Sequence, residues 1–289
     1  MTFTFENTLK IAIPKKGRLY DTCMDLLKGA DIKFSKKNRL DIAYCTNFPI
    51  ALIFLPAKDI PTYVADGSIH AGITGSDMVL ESQVTDKITQ VLKLGFGKCR
   101  LVVQIPEGSE LKLQDLNGKK IVSSFPNTVK DYFENVLKMK VNCSYVSGSV
   151  EIACQLGLAD AICDLVESGD TMKAAGLKEL HTIHSSECML IANPNAPFQE
   201  LLKTIKGRIQ GVIDAKKYVY CTYNVPRAKL SEARQITPGK KAPTLSPLEK
   251  EDWVSVSVMI DQDRQGDIMD RLIAIGGDSI LIFDIHNCR

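Results

Sequence analysis

Residues that could hold a phosphorylated sugar surround one short apolar run in the second half of the chain. They are, in order, Asp160, Asp164, Glu167, Ser168, Gly169, Asp170 and Thr171. A turn of this composition exposes backbone N–H groups beside hydroxyl donors, and these can surround a phosphate at the start of a helix. The acids before the loop suit ribose hydroxyls. Helix capping explains the same residues equally well, because short glycine loops are common without a ligand.

A basic turn lies near the N-terminus, directly after the apolar residues 9–13. Lys15, Lys16, Gly17 and Arg18 follow one another there. Cations and free N–H groups at such a point could hold a polyphosphate and stabilise a departing pyrophosphate. The simpler alternative is a solvated basic turn, since charge at helix ends is ordinary.

Two further turns have the same order of strand, small residues and helix start. Gly75 and Asp77 follow the apolar residues 71–74, and Glu151 follows the turn at residues 147–149. Small residues permit close approach of the backbone to a ligand, and the acids could contact a sugar. Capping of the next helix remains the alternative for both turns.

No motif in the sequence indicates a metal cage or a nucleophile. His181 and His184 are three residues apart but have no nearby acids in the usual pattern, so we expect no metal site there. There is no Walker loop, G-x-G-x-x-G string or nucleophile elbow. The nine cysteines contain no C-x-x-C pair, which indicates reduced thiols and a cytoplasmic location.

Size and charge exclude several classes of protein. A chain of 289 residues exceeds one comfortable hydrophobic core, so two or three domains are expected. The formal net charge of +2 provides no broad field for nucleic acid. No apolar stretch approaches the roughly 18 residues of a membrane span, and residues 1–7 lack the basic segment of a secretory signal. We therefore expect neither a nucleic-acid nor a membrane partner.

The elements that must position these turns form two α/β cycles. Apolar runs alternate with helical patterns from residue 9 onward, and a second cycle begins near Arg100. This alternation predicts two α/β lobes with a cleft between them, in which ligands bind beyond the carboxyl ends of strands. From about Lys217 the order becomes strand, helix, strand, strand, helix, strand, which predicts a ferredoxin-like βαββαβ domain.

Two α/β lobes with a cleft also describe solute-binding proteins, which bind a ligand and do no chemistry. A metabolite sensor that signals to a partner is a further alternative. The combination of a basic turn and a phosphate-type loop favours an enzyme over both alternatives. Loss of catalysis with retained ligand binding is the observation that would discriminate them.

As a set, these segments resemble the long-form ATP phosphoribosyltransferases, and among them the fungal members most closely. The resemblance extends from about Leu9 to Arg289. It rests on Pro-Lys-Lys-Gly-Arg-Leu (14–19), Asp-Ile-Pro (59–61), Gly-Ile-Thr-Gly (72–75), Gly-Ser-Val-Glu (148–151), Gly-Leu-Ala-Asp-Ala-Ile-Cys-Asp-Leu-Val (157–166), Thr-Pro-Gly (237–239) and Ala-Pro-Thr (242–244). Together these strings are far more specific than any one of them.

The resemblance implies a fold, a reaction and partners. Two periplasmic-binding-protein-like lobes of type II would comprise residues 1–98 with 184–216 and residues 99–183, and an ACT-like regulatory domain would comprise residues 217–289. The enzyme, a pentosyl-transferring glycosyltransferase, would join phosphoribosyl pyrophosphate to N1 of ATP in the first step of histidine biosynthesis. Mg²⁺ would arrive mainly with the substrates. Histidine would be a feedback inhibitor, and the assembly would be a homo-hexamer that exchanges with dimers.

The resemblance also assigns roles by matching position. Lys15, Gly17 and Arg18 would line the ATP and pyrophosphate region, with Lys15 and Arg18 as catalytic residues, and Gly75 and Asp77 would belong to the same region. The phosphoribosyl group would be bound by Glu151, Asp160, Asp164, Glu167, Ser168, Gly169, Asp170 and Thr171.

Asp170 departs from what a phosphate loop would require, because an inward carboxylate would repel the ligand. We therefore expect its side chain to face outward. In the C-terminal domain, Thr237, Gly239 and Ser279 are expected to contact histidine.

Overall fold

The computed structural model describes residues 5–36 and 40–289, and of Arg18 it describes the backbone alone. The chain forms two compact units. The first unit comprises Met1–Asp25 and Ile32–Leu202, and the second comprises Leu26–Asp31 and Lys203–Arg289. In chain order the elements are β1 (Leu9–Pro14), α1 (Arg18–Gly29), β2 (Ile42–Tyr44), β3 (Ile50–Leu55), α2 (Ile60–Ala65), β4 (Ala71–Gly75), α3 (Ser76–Glu81), β5 (Thr89–Lys93), β6 (Cys99–Pro106), β7 (Lys120–Ser123), α4 (Pro126–Asp131), β8 (Asn142–Tyr145), β9 (Ala161–Val166), α5 (Asp170–Ala174), β10 (Leu177–Ser186), β11 (Cys188–Ala192), α6 (Gln199–Ala215), β12 (Tyr218–Pro226), α7 (Leu230–Ile236), β13 (Thr244–Pro247), β14 (Trp253–Asp261), α8 (Gln265–Ala274) and β15 (Asp278–Asp284).

The first unit contains two sheets. In the six-stranded sheet, with order β2-β3-β1-β4-β11-β5, strands β1, β3 and β4 are parallel and β11 is antiparallel to its neighbours. The three parallel strands are almost entirely buried, because the sheet is covered on both faces. Their carboxyl ends, after Pro14, Leu55 and Gly75, therefore meet at one edge of the sheet.

The second sheet of this unit has the order β10-β6-β9-β7-β8. Strands β8 and β9 both pair with β7 in parallel. Strand β6 pairs with β9 in antiparallel orientation, and β10 pairs with β6 in the same way. The chain passes from one sheet to the other twice, between β5 and β6 and between β10 and β11. Two such crossings are what the predicted pair of α/β lobes requires, and that part of the fold prediction is confirmed.

The second unit contains an antiparallel four-stranded sheet with order β13-β14-β12-β15. Alternate residues of β12 and β14 are buried, among them Val219, Tyr223 and Val256, and they pack with Ala233 of α7 and Leu272 of α8. A sheet covered by helices on one face shows this period of two. The predicted ferredoxin-like βαββαβ order is confirmed.

Helix α4 of the second lobe begins at Pro126 and continues beyond Asp131 as a π-helical turn at Tyr132–Val136. Proline is well tolerated in the first turn of a helix, where its missing N–H has no intrahelical partner. In the part of the chain that the structure describes, no helix is both long and apolar enough to cross a bilayer.

Candidate active site

A cavity of about 160 Å³ lies at the carboxyl end of β9. Six of the eight residues predicted to bind a phosphoribosyl group line it, namely Glu151, Asp164, Glu167, Ser168, Gly169 and Thr171. The parallel strand β9 ends there, and the loop to α5 turns back over the strand end. The structure therefore brings the central part of the predicted loop, Asp164 of β9 and the distant Glu151 around one space.

The loop turns at Gly169, whose φ of +89° is the left-handed backbone conformation that glycine adopts without steric cost. Beside it, the Ser168 hydroxyl donates a hydrogen bond to Asp170 Oδ2 over 2.6 Å. Asp170 does not line the cavity. The Asp170 carboxylate is thus hydrogen-bonded within the loop and does not face the cavity, which agrees with the expected outward orientation.

Asp164 differs from an ordinary surface acid. Burial raises the pKa of Asp164, the Leu165 N–H that donates to Oδ1 over 2.9 Å lowers it, and the charge of Glu151 raises it further. Burial disfavours the charged form of a carboxyl group, and a second carboxylate adds to this effect. Asp164 and Glu151 are therefore acceptors for which hydroxyl or cationic partners would be favourable.

Asp160 is not brought to this cavity. It precedes β9, which has six residues, so it lies about 20 Å from the loop at the opposite end of the strand. Its carboxylate accepts the Lys120 N–H over 3.0 Å, and this hydrogen bond, together with Lys119, lowers its pKa. A carboxylate would suit a ribose hydroxyl, but the length of β9 separates Asp160 from the loop that follows the strand.

The basic turn follows β1 at the carboxyl edge of the first sheet. Lys15 donates its backbone N–H to the Leu55 carbonyl over 2.7 Å, and its Nζ lies 2.6 Å from Asp41 Oδ2. About half of each charged side chain is exposed. Gly17 has a φ of +83°, and the side chain of Arg18 lies outside the described residues. Asp41 was not found by sequence reasoning, because no motif links it to Lys15.

Gly75 and Asp77 form a tight turn at the end of β4, where the chain enters α3. A Cβ on Gly75 would lie 2.1 Å from Asp77 Oδ1, so a larger residue would displace the Asp77 carboxylate. Asp77 is 4% exposed and its Oδ1 accepts the Ser186 hydroxyl over 2.6 Å. Ser76 Oγ lies 2.8 Å from His184 Nε2. This network joins the start of α3 to the end of β10, and contact of Asp77 with ATP stays a prediction.

A second cavity, of about 520 Å³, adjoins the first and shares Val166 and Glu167 with it. Sequence reasoning missed its cations, which are Lys93, Lys98 and Arg100. Lys93 pairs with Glu187 at 2.8 Å, while Arg100 pairs with Glu179 at 2.5 Å. These cations come from β5, from the segment between β5 and β6, and from β6, so no single motif contains them.

In the C-terminal unit, a cavity of about 240 Å³ is lined by Thr237, Gly239, Lys240, Asp261 and Arg264, among other residues. Thr237 is buried, and its hydroxyl lies 2.7 Å from Tyr223 Oη. Of the three residues predicted to contact histidine, Thr237 and Gly239 line this cavity and Ser279 does not. No sequence motif pointed to Asp261 or Arg264.

Comparison with known proteins shows family similarity along most of the chain. Residues 56–211 match the family model described as ATP phosphoribosyltransferase, and residues 215–287 match the model described as HisG, C-terminal domain. The ATP phosphoribosyltransferase of Debaryomyces hansenii is 51% identical over 97% of this chain and 96% of its own length. That of Candida albicans is 49% identical with the same coverage.

Among solved structures, the ATP phosphoribosyl transferase (HisG:HisZ) complex from Thermotoga maritima is similar with a TM-score of 0.63 and 28% identity. The match covers 72% of this chain and 99% of that one. The two family models together extend over both compact units, and the fungal relatives are similar along nearly the whole length. The chain belongs to the ATP phosphoribosyltransferase family, the enzymes of the first step of histidine biosynthesis.

Proposed function

We propose that the cavity at the end of β9 binds the ribose and 5′-phosphate of phosphoribosyl pyrophosphate. The observation that carries this assignment is the convergence of Ser168, Gly169 and Thr171 with the carboxylates of Glu151 and Asp164 around one space. Hydroxyl groups and free N–H groups suit the phosphate, and the carboxylates suit ribose hydroxyls. Asp160 and Asp170 were also predicted to bind the phosphoribosyl group, but neither residue lines this cavity.

The reaction transfers the phosphoribosyl group of phosphoribosyl pyrophosphate to N1 of ATP. The bond between the anomeric carbon and the pyrophosphate oxygen breaks, and the electron pair leaves with pyrophosphate. The N1 lone pair then forms the new bond, which gives N1-(5-phosphoribosyl)-ATP. Because no strong general base is required, the main contributions of the protein are alignment of two substrates and cations near the leaving group.

Lys15 and Arg18 are the proposed catalytic cations. The pair of Lys15 with Asp41 is half-exposed, and ion pairs of this kind contribute little stability, so a polyphosphate can replace Asp41. Gly17, Gly75 and Asp77 complete the proposed ATP and pyrophosphate region. The adjoining cavity with Lys93, Lys98 and Arg100 provides space and further positive charge beside the phosphoribosyl site.

The reaction uses a divalent metal ion with its phosphorylated substrates, and we propose Mg²⁺. Among the described residues no cluster of three His, Cys, Asp or Glu side chains is arranged to hold a metal. The hard oxygen donors of Glu151, Asp164 and Glu167 still fit Mg²⁺, which binds through one or two carboxylates and substrate phosphates. When bound, the ion would neutralise negative charge on the leaving pyrophosphate.

We also propose that the C-terminal unit binds histidine as a feedback inhibitor. The cavity beside Thr237 and Gly239 offers the carboxylate of Asp261 for an ammonium group, and Lys240 and Arg264 for a carboxylate. These charges suit an α-amino acid. Ser279, which we also assigned to this site, donates its backbone N–H to Asp278 and lies outside the lining.

Further proposals concern organisation. We propose lobes at residues 1–98 with 184–216 and at 99–183, and a regulatory domain at 217–289. A homo-hexamer that exchanges with dimers and a cytoplasmic location complete the proposal. Free cysteines throughout the described residues are compatible with a reducing compartment.

One assay tests the proposed function. Purified full-length protein is mixed with ATP, phosphoribosyl pyrophosphate and Mg²⁺, with pyrophosphatase to remove product, and phosphoribosyl-ATP is followed with and without histidine. Product formation that histidine suppresses supports both parts of the proposal. Product formation without an effect of histidine removes the regulatory part. Binding of both substrates without product would favour a binding protein or sensor.

A further inference from the structure

The phosphoribosyl cavity contains one polar side chain that none of its sequence motifs includes. Gln104 lies in the middle of β6, within the apolar residues 101–105, and it lines the cavity although it is only 3% exposed. Within residues 5–36 and 40–289, no hydrogen bond of its side-chain amide is found, and neither amide atom is among the polar atoms buried without a partner. The small exposed part of this residue therefore includes the amide, which is accessible from the cavity and can bind a ligand.

The strand register explains why this amide faces the site. Gln104 is opposite Ile162 on β9, and Val102 is opposite Asp164. Side chains two residues apart on a strand share a face, so Gln104 and Asp164 lie on the same face of the sheet. The other cavity residues of polar type are charged acids or lie on the loop, so Gln104 supplies the neutral donor and acceptor at the cavity floor.

We propose that Gln104 is a substrate-binding residue whose amide hydrogen-bonds a hydroxyl group of the pentose, and that it thereby favours a phosphorylated sugar over phosphate alone. This inference rests on the proposed phosphoribosyl site. A neutral amide can donate and accept at once, as a hydroxyl partner requires, and it adds no charge beside Glu151 and Asp164. Without ligand the amide has no protein partner, so it is available to the sugar.

Binding of ribose 5-phosphate and of inorganic phosphate to the full-length protein, measured by calorimetry, tests the proposal. Gln104→Met has a similar volume and lacks the amide. We expect it to weaken ribose 5-phosphate binding about 3- to 10-fold, the effect of one lost hydrogen bond, and to leave phosphate binding unchanged. The melting temperature should change little, because the amide has no hydrogen bond within the protein to lose.

Gln155→Met is the matched control, since Gln155 is an exposed glutamine of the same lobe that donates to the Ala175 carbonyl outside the cavity. It should change neither affinity. Gln104→Leu provides a second apolar replacement if the methionine variant folds poorly.

An unchanged ratio of the two affinities in Gln104→Met or Gln104→Leu would overturn the inference. So would an equal loss of both affinities with a lower melting temperature, because Gln104 would then only support the loop. If the unaltered protein binds phosphate but not ribose 5-phosphate, the inference falls while the phosphate loop stands. If it binds neither, the proposed phosphoribosyl site itself is rejected.

Discussion

At the scale of single residues, Gly169 shows how one backbone conformation shapes the proposed site. Its φ of +89° directs the loop between Ser168 and Thr171 around the cavity. A Cβ there would meet Met172 and Val166 only at 3.7 and 3.8 Å, so space is not the obstacle. The obstacle is the left-handed conformation, which costs an L-residue roughly 1–2 kcal/mol.

Gly169→Ala should therefore distort the loop and raise the KM for phosphoribosyl pyrophosphate by about 10-fold, the effect of 1.4 kcal/mol. Steady-state kinetics with each substrate varied is the measurement. Gly157→Ala is the control, because Gly157 also has a positive φ, +67°, and open space around its Cα. A similar rise in KM for both variants would show that the effect comes from general strain.

Lys15 leads to a second prediction. Removal of one preorganised charge that stabilises a transition state typically lowers kcat by about 10²-fold. We expect a loss of this order for Lys15→Ala, with little change in the melting temperature because its ion pair with Asp41 is half-exposed. Lys87→Ala, which removes an exposed lysine of the same unit, should keep normal turnover. Wild-type kcat for Lys15→Ala would remove this residue from the catalytic machinery.

At the scale of elements, β9 is associated with two aspartates of opposite behaviour, Asp160 just before the strand and Asp164 within it. The pKa of Asp164 is raised by burial, whereas that of Asp160 is lowered by the Lys120 N–H. A raised carboxyl pKa means that the folded state binds more protons than the unfolded state. The stabilising contribution of Asp164 is therefore present below the ordinary aspartate pKa of about 3.8 and is lost as the pH rises above that value. The contribution of Asp160 is present above a pH of about 3.8 and is lost as the pH falls below that value.

The two substitutions should therefore have opposite effects on stability near neutral pH. Asp164→Asn removes a carboxylate that is costly to bury, so it should raise the melting temperature at neutral pH, and the gain should shrink on acidification. Asp160→Asn should lower the melting temperature at neutral pH, and its effect should vanish below the lowered pKa. Thermal melts across this pH range provide the measurement. Changes of the same sign would contradict the assigned causes.

Helix α4 depends on a carboxylate from another element. Glu81, at the end of α3, accepts the Thr128 N–H over 2.9 Å, the Thr128 hydroxyl over 2.8 Å and the Asn127 N–H over 3.1 Å. Loss of a helix cap costs about 0.5–2 kcal/mol, so Glu81→Ala should lower the melting temperature by several degrees. Glu134→Ala, at an exposed position of the following π-helical turn, is the control. Equal melting temperatures for the two variants would refute the capping role.

At the scale of the whole molecule, regulation is expected to originate in the C-terminal unit. An inhibitor that acts at a distance must prefer one global state of the protein. Asp261→Asn removes the carboxylate proposed to receive the histidine ammonium group. We expect it to raise the histidine concentration for half-inhibition about 10-fold, with kcat unchanged.

Asp263→Asn is the matched control, because Asp263 is in the turn after Asp261 and does not line the cavity. Inhibition curves, with light scattering at each histidine concentration, would also report whether the proposed hexamer exchanges with dimers. Normal histidine sensitivity of Asp261→Asn would remove this cavity from the regulatory proposal.

The two α/β lobes, the βαββαβ unit and the turn after β9 could all be predicted from local sequence. Hydrophobic periodicity and turn residues are local properties, so β9, its loop and the order of β12 to β15 can be predicted from neighbours along the chain. Which residues share a cavity depended on the tertiary packing. Strand length separated Asp160 from Gly169, whereas strand register placed Gln104 beside Asp164. Register and sheet order arise from packing between distant segments, which no single stretch of sequence encodes.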